Sequence, residues 1–171
     1  MSTLDWSRLR VLVIDDNAFF RKVVRTVLSA AGVTHIVEAV SAEDALDRFW
    51  AEDQIDLILL DYVMGPTDGL TLTRMIRRSP HSANTLVPII MVSGHLNPTD
   101  VQLALNAGVN AVVGKPISAR DLLKAIKRTL TEPVAFIRSN TYFGPDHRRR
   151  GGGDVPVSDD GTPVVIDVRE E

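Results

Sequence analysis

The chain has 171 residues, 44% of them apolar and 24% charged, a balance that fits one folded domain and excludes both a disordered polymer and a membrane-embedded chain. Its net charge of -3 lies in the last quarter: Lys+Arg match Asp+Glu fourteen to fourteen before Glu132 and stand five to eight from there on. The absence of cysteine excludes a disulfide framework and a thiolate zinc site, fits a reducing compartment and makes the cytoplasm the expected location.

Met1 to Arg10 carries Asp5, Arg8 and Arg10 where a secretory signal would have an apolar core of roughly 7–15 residues. No apolar run approaches the ~20 residues that cross a bilayer, so no membrane partner is expected. Balanced charge over the first 131 residues offers no broad grip on nucleic acid.

Between Arg10 and Leu130 a short apolar run is followed by a longer amphipathic segment, five times over. The first run, Val11-Leu12-Val13-Ile14, ends on Asp15-Asp16, and the second is His35-Ile36-Val37. The third, Leu57-Ile58-Leu59-Leu60, ends on Asp61; the fourth, Val87 to Val92, ends on Ser93; the fifth, Ala111-Val112-Val113, leads to Lys115. Runs one, three and four lack polar alternation, as strands do when both faces of a parallel sheet are covered. Helix starts read from Ser41 with Asp44, from Asn97-Pro98 and from Ser118 with Asp121. In the last helix Leu122, Leu123, Ile126 and Leu130 share one face. Right-handed crossovers then predict an α/β fold, a five-stranded parallel sheet of order 2-1-3-4-5, doubly wound (flavodoxin-like) with five helices.

Residues 1–131 form the expected domain and 132–171 a flexible C-terminal tail containing Pro133, Pro145, Pro156, Pro163 and Gly151-Gly152-Gly153. Phe136, Ile137, Tyr142 and Phe143 mark 134–146 as a docking segment, for this domain or for a partner. Val155-Pro156-Val157 and Val164-Val165-Ile166, separated by Asp159-Asp160-Gly161, suggest a hairpin over 155–168 that both prolines weaken. Arg148-Arg149-Arg150 is too short a run for nucleic acid and reads as solvated or as a contact for an acidic partner.

Ligands of an open parallel sheet bind outside the carboxyl ends of its strands, where Asp15, Asp16, Asp61, Ser93 and Lys115 all fall. Three carboxylates on adjacent loops repel one another. Lys115 offsets part of that charge, and a hard divalent cation the rest; oxygen-only ligands in a small site favour Mg²⁺ over Ca²⁺. A carboxylate beside such a cation, a hydroxyl and an ammonium is the apparatus of phosphoryl transfer to an aspartate. Plainer roles stay open, with Asp15 and Asp16 as caps of the first helix and Ser93 as a turn residue.

Asp15-Asp16, Asp61, Ser93 and Lys115-Pro116, each after its own apolar run, together resemble the receiver domain of two-component response regulators, of the chemotaxis-regulator-like kind, over about residues 9 to 131. The resemblance implies that Asp61 accepts a phosphoryl group from a sensor histidine kinase or a phosphotransfer protein. Asp16 would hold Mg²⁺ directly, Asp15 mainly through water, and Asp61 with the backbone carbonyl of Val63 would complete the protein's share. Lys115 would pair with Asp61 and then with a phosphoryl oxygen, Ser93 would donate to another, and Lys115-Pro116 would be cis. The 40 residues after Thr131 are too few for a typical winged-helix DNA-binding domain and carry no helix pattern for one, so the expectation is a stand-alone phosphorelay switch, monomeric or weakly dimeric, acting on a downstream protein and not on DNA. It would be no enzyme beyond assisting its own Mg²⁺-dependent phosphorylation and slow dephosphorylation.

Several positions depart from the family pattern. Val112 stands where receivers usually carry Tyr or Phe, Gly65 where Pro is usual, with Pro66 after it, and Val63 and His95 at two variable positions that help set acyl-phosphate hydrolysis. Val112 and Gly65 lend weight to an alternative, a pseudo-receiver that binds partners constitutively. A phosphatase with an aspartyl nucleophile fits less well, because Val63 occupies the place of its second acid. Nucleotide enzymes are weaker still, as neither G-x-G-x-x-G nor G-x-x-x-x-G-K-[ST] occurs.

Overall fold

The computed structural model describes residues 3–52, 54–79, 84–94, 97–132, 134–147 and 164–166. Strands β1 (Arg10–Ile14), β2 (His35–Ala39), β3 (Leu57–Asp61), β4 (Ile89–Ser93) and β5 (Ala111–Gly114) form a parallel sheet in the order β2-β1-β3-β4-β5. Helices α1 (Ala18–Ala30), α2 (Ala42–Ala51), α3 (Gly69–Arg78), α4 (Pro98–Ala107) and α5 (Ala119–Thr131) follow the strands in turn. This is the doubly wound fold expected from the alternation of runs and amphipathic segments.

β3 and β4 are buried at every position and β1 at all but its first, as unbroken apolar runs require. Strand side chains alternate between faces. Val11, Val13, Leu57, Leu59 and Ile90 therefore meet Val24 and Leu28 of α1 and Leu122 and Ile126 of α5. Leu12, Ile14, Ile58, Leu60, Ile89 and Met91 meet Phe49 of α2, Leu72 and Ile76 of α3 and Ala104 of α4 on the other side. Each fully buried Leu or Ile contributes about 1.5–3 kcal/mol, so these two layers hold the sheet rigid beneath its carboxyl rim. No helix among the described residues is long and apolar enough to cross a membrane.

Side-chain oxygens take up the free amides at the helix starts. Ser41, Asn97 and Ser118 accept from the N–H groups of Asp44, Asp100 and Asp121, as their spacing predicts. The cap of α1 is Asn17, which accepts from the Phe20 amide at 3.0 Å, so the capping role read for Asp15 and Asp16 is corrected. The fourth strand starts at Ile89, two residues later than its apolar run: the Val87 amide turns back to the Asn84 carbonyl at 3.3 Å, and Pro88 has no N–H to give to a ladder.

Beyond α5 lies a second, antiparallel sheet in the order β7-β6-β8, built from β6 (Phe136–Arg138), β7 (Phe143–Pro145) and β8 (Val164–Ile166). Phe136, Ile137, Tyr142 and Phe143 are all buried, and β7 lies against the chain's own α3 and α4. The Tyr142 hydroxyl donates to the Pro145 carbonyl at 2.9 Å and stands 3.3 Å from that of Leu105 in α4. Arg78 donates to the Thr141 carbonyl at 2.9 Å. Arg77, fully buried, donates to the carbonyls of Gly108, Thr85 and Val87 and to Asn110 Oδ1, with the Phe136 ring 5.0 Å from its guanidinium carbon.

Two glycines allow this close fit. Gly108 caps α4 in the left-handed region at φ 114°, and a Cβ there would sit 3.0 Å from the Phe143 carbonyl; one on Gly144 would sit 2.8 Å from Gly108 Cα. Of the hairpin read over 155–168, Val164–Ile166 pairs with β6, while residues 155–157 and Arg148 to Arg150 lie outside the described residues.

Candidate functional site

Parallel strands bring their carboxyl ends to one rim, and the rim gathers the residues singled out by the sequence. Asp61 is the last residue of β3, Ser93 of β4, and Asp15 follows β1 directly. One carboxylate oxygen from each of Asp15, Asp16 and Asp61 lies within 4.8 Å of the others, with Asp15 and Asp61 buried and Asp16 exposed. Among the described residues these are the acidic side chains close enough to share an ion.

Lys115 enters from the loop after β5, its ammonium 3.0 Å from Asp61 Oδ1 and 3.2 Å from Asp15 Oδ2. Its position is shared by two further contacts: the Lys115 amide donates to the Ser93 carbonyl at 2.7 Å, and the ammonium stands 4.0 Å from the centre of the Phe20 ring. The Lys115-Pro116 peptide bond is cis. Asp15 is oriented by the Asn17 amide, which donates to its Oδ1 at 2.8 Å, and by Arg21, which donates to its carbonyl at 2.7 Å.

Asp61 is only 8% exposed. Burial pushes its carboxyl above the ordinary carboxylate range; the hydrogen bond from Lys115 pulls it back, and the neighbouring charge of Asp15 pushes it up again. Three carboxylates against one ammonium leave the rim negative, and the donors are all hard oxygens. That donor set fits a divalent cation such as Mg²⁺ and does not fit a soft metal.

The rest of the predicted set divides. Ser93 is 2% exposed at the end of β4, opposite Gly114 of β5 in register. The Val63 side chain is 62% exposed in the loop after β3. In the same loop Gly65 has φ 33°, a value that proline, locked near about -65°, does not adopt, so the change from the usual Pro goes with a differently shaped turn. Val112 is half-buried against the core layer that contains Met91 and Ala104. His95 lies outside the described residues.

Sequence reasoning missed Phe20, Arg21 and Gly69. Gly69 opens α3 with its amide on the Tyr62 carbonyl at 2.9 Å, so close to β3 that a Cβ would collide with the Asp61 carbonyl. The signal for it was present, a glycine directly after the capping residue Asp68.

A parallel 2-1-3-4-5 sheet with acids on its first and third strand ends and a lysine after its fifth defines a class, the response regulator receiver domain. The family model for that domain matches residues 11–127, and the chain belongs to the family. The match ends ahead of the C-terminal sheet. Among curated relatives, the chain is 31% identical over 121 residues to the chemotaxis protein CheY of Bacillus subtilis, an alignment covering 71% of this chain and 97% of that one. It is 33% identical over 120 residues to the transcriptional regulatory protein GltR of Pseudomonas aeruginosa, covering 70% of this chain but only 48% of GltR, so the chain aligns with about half of that protein. The crystal structure of a response regulator receiver protein from Pseudomonas putida superposes with a TM-score of 0.63 at 33% identity, over 71% of this chain and 97% of that one. Receiver domains of two-component systems are phosphorylated on an aspartate, hold Mg²⁺ in an acidic pocket and interact with histidine kinases and downstream targets. They are phosphoacceptors and not enzymes in the usual sense.

Proposed function

We propose that Asp61 is the phosphoacceptor of this receiver and that the chain works as a cytoplasmic phosphorylation switch on protein binding. The observation that carries this reading is the buried Asp61 carboxylate held 3.0 Å from the Lys115 ammonium inside a cluster of three acids. In the transfer an Asp61 oxygen attacks the phosphorus of a phosphohistidine on a sensor kinase or phosphotransfer protein. A P–O bond forms, the P–N bond breaks, and the electron pair leaves with the imidazole.

Asp15, Asp16, Asp61 and the Val63 carbonyl would hold Mg²⁺, which supplies charge neutralisation at the phosphoryl oxygens. Lys115 pairs with Asp61 before transfer and follows a phosphoryl oxygen afterwards, and Ser93 donates to another. Placing a near-dianion beside Asp15 and Asp16 is what drives the domain toward its second state. Moving the active population from about 1% to about 99% takes about 5.5 kcal/mol of differential stabilisation. With half-buried Val112 in place of a mobile aromatic ring, that state is read out by the loops after β3 and β4 and not by a ring swinging inward. The C-terminal sheet belongs to this unit as a docked appendage on α3 and α4.

Beryllofluoride with Mg²⁺ tests the assignment, since together they imitate the phosphoryl group on a carboxylate. Amide NMR shifts around Asp61, Ser93 and Lys115 are expected in the wild type and absent in Asp61→Asn. Equal shifts in both, or none in either, would leave the pseudo-receiver reading in its place.

A further inference from the structure

Two grooves that share no residue with the acidic site meet at the end of α3. One, of about 450 Å³, runs between α2 and α3 and presents Leu46, Trp50, Met75 and Arg74. The other, of about 460 Å³, lies between the end of α3 and the β6–β7 hairpin and presents Arg78, Arg138 and Asn140, with Arg77 behind them. Arg78 and Ser79 line both, so the two form one continuous track.

The composition of the track is unusual for this domain. Trp50 and Met75 are 48% and 45% exposed. Among the described residues no aspartate or glutamate lines either groove, although acids equal Lys+Arg over residues 1–131. Among the described residues neither Arg74 nor Arg138 has a carboxylate within salt-bridge distance; the Arg138 guanidinium lies 4.6 Å from the Phe143 ring centre instead. A tryptophan and a methionine beside three exposed arginines match the make-up of protein interface centres.

We propose that this track is a docking surface for an extended acidic segment of another protein. An aliphatic or aromatic side chain of that segment seats between Trp50 and Met75, and its carboxylates pair with Arg74, Arg78 and Arg138. Charge complementarity selects this occupant, because guanidinium forks suit carboxylates and no described residue of the track carries an acid to neutralise them. Three charges release few counterions, and one exposed tryptophan is a small stacking platform, which disfavours a nucleic-acid strand. The hairpin supplies Arg138 and Asn140, so the docked C-terminal sheet completes the surface.

Fluorescence anisotropy on the full chain tests this, using a fluorescein-labelled peptide in which Phe-Leu precedes a run of glutamates. The same peptide with glutamine for glutamate and a single-stranded oligothymidylate serve beside it. The proposal requires saturable binding of the acidic peptide, loss of binding by the glutamine peptide, and affinity reduced about tenfold by Arg74→Glu and by Trp50→Ala. The Arg74 side chain makes no ion pair among the described residues, so Arg74→Glu should melt like the wild type. Absence of saturable binding, or an affinity that Arg74→Glu leaves unmoved, overturns the proposal. Tighter binding of oligothymidylate that Arg74→Glu abolishes overturns it in favour of a nucleic-acid surface.

Discussion

Lys115 and Asp61, 54 positions apart in the chain, meet at 3.0 Å on the carboxyl rim of the sheet. The same ammonium reaches Asp15 at 3.2 Å, so one cation serves two buried acids. Each acid is dependent on it in the absence of metal.

Replacing the ammonium exposes that dependence. Lys115→Met leaves Asp15 and Asp61 without their shared donor, and the metal-free protein is expected to lose on the order of 1–3 kcal/mol, the penalty for an unsatisfied buried partner. Mg²⁺ should recover most of that loss, because it replaces the missing positive charge. Thermal melts in EDTA and in Mg²⁺ give both numbers, and a Lys115→Met protein as stable as the wild type in EDTA would show that the pair contributes nothing.

Asp61 also sets a dependence on pH. Its folded pKa is raised above the unfolded value of 3.8, so the folded state binds this proton more readily than the unfolded chain does. The stability this site withholds is therefore recovered as pH falls through the raised value toward the ordinary carboxylate range. In EDTA at neutral pH, Asp61→Asn is expected to melt above the wild type by on the order of 2–4 °C, and the gap should close as pH approaches about 4. A gap that widens on acidification would contradict the sign.

The C-terminal sheet is held by close backbone approach. A methyl group at Gly144 would meet the Tyr142 hydroxyl at 2.6 Å and the backbone Cα of Gly108 at 2.8 Å, so one or the other must shift. Gly144→Ala is expected to cost about 1–3 kcal/mol, as overpacking does. Hydrogen exchange of the Ser139 and Asp146 amides, which donate across the β6–β7 hairpin to the Tyr142 and Ala135 carbonyls, should rise while that of β3 amides stays slow. Uniform protection in the variant would mean that the sheet does not depend on this contact.

Most of the fold was legible because its signals are local. Leu57 to Leu60 and Ile89 to Val92 are apolar at every position, which only a strand covered on both faces needs, and Ser41, Asn97 and Ser118 announce their helices through a single side-chain bond each. The rim was legible for the same reason, since a residue after an apolar run must stand at a strand end. What escaped depends on long-range approach. Phe20 meets Lys115 only because the strand ends share one rim, across which the Lys115 side chain reaches the start of α1, and Arg77 finds its partners only when folding delivers the carbonyls of Thr85, Val87 and Gly108 around it. The pairing of β8 with β6, about 28 positions away, also escaped, a distance at which loop closure adds only a slowly growing entropic cost.

The most direct test of the phosphoacceptor assignment is the intact mass of the protein after incubation with phosphoramidate and Mg²⁺. The wild type should gain one phosphoryl group that hydroxylamine removes, as an acyl phosphate requires, and should gain none in EDTA. Asp61→Asn should gain none under either condition. A wild type that stays unmodified, or an Asp61→Asn variant modified to the same extent, would contradict the role given to Asp61.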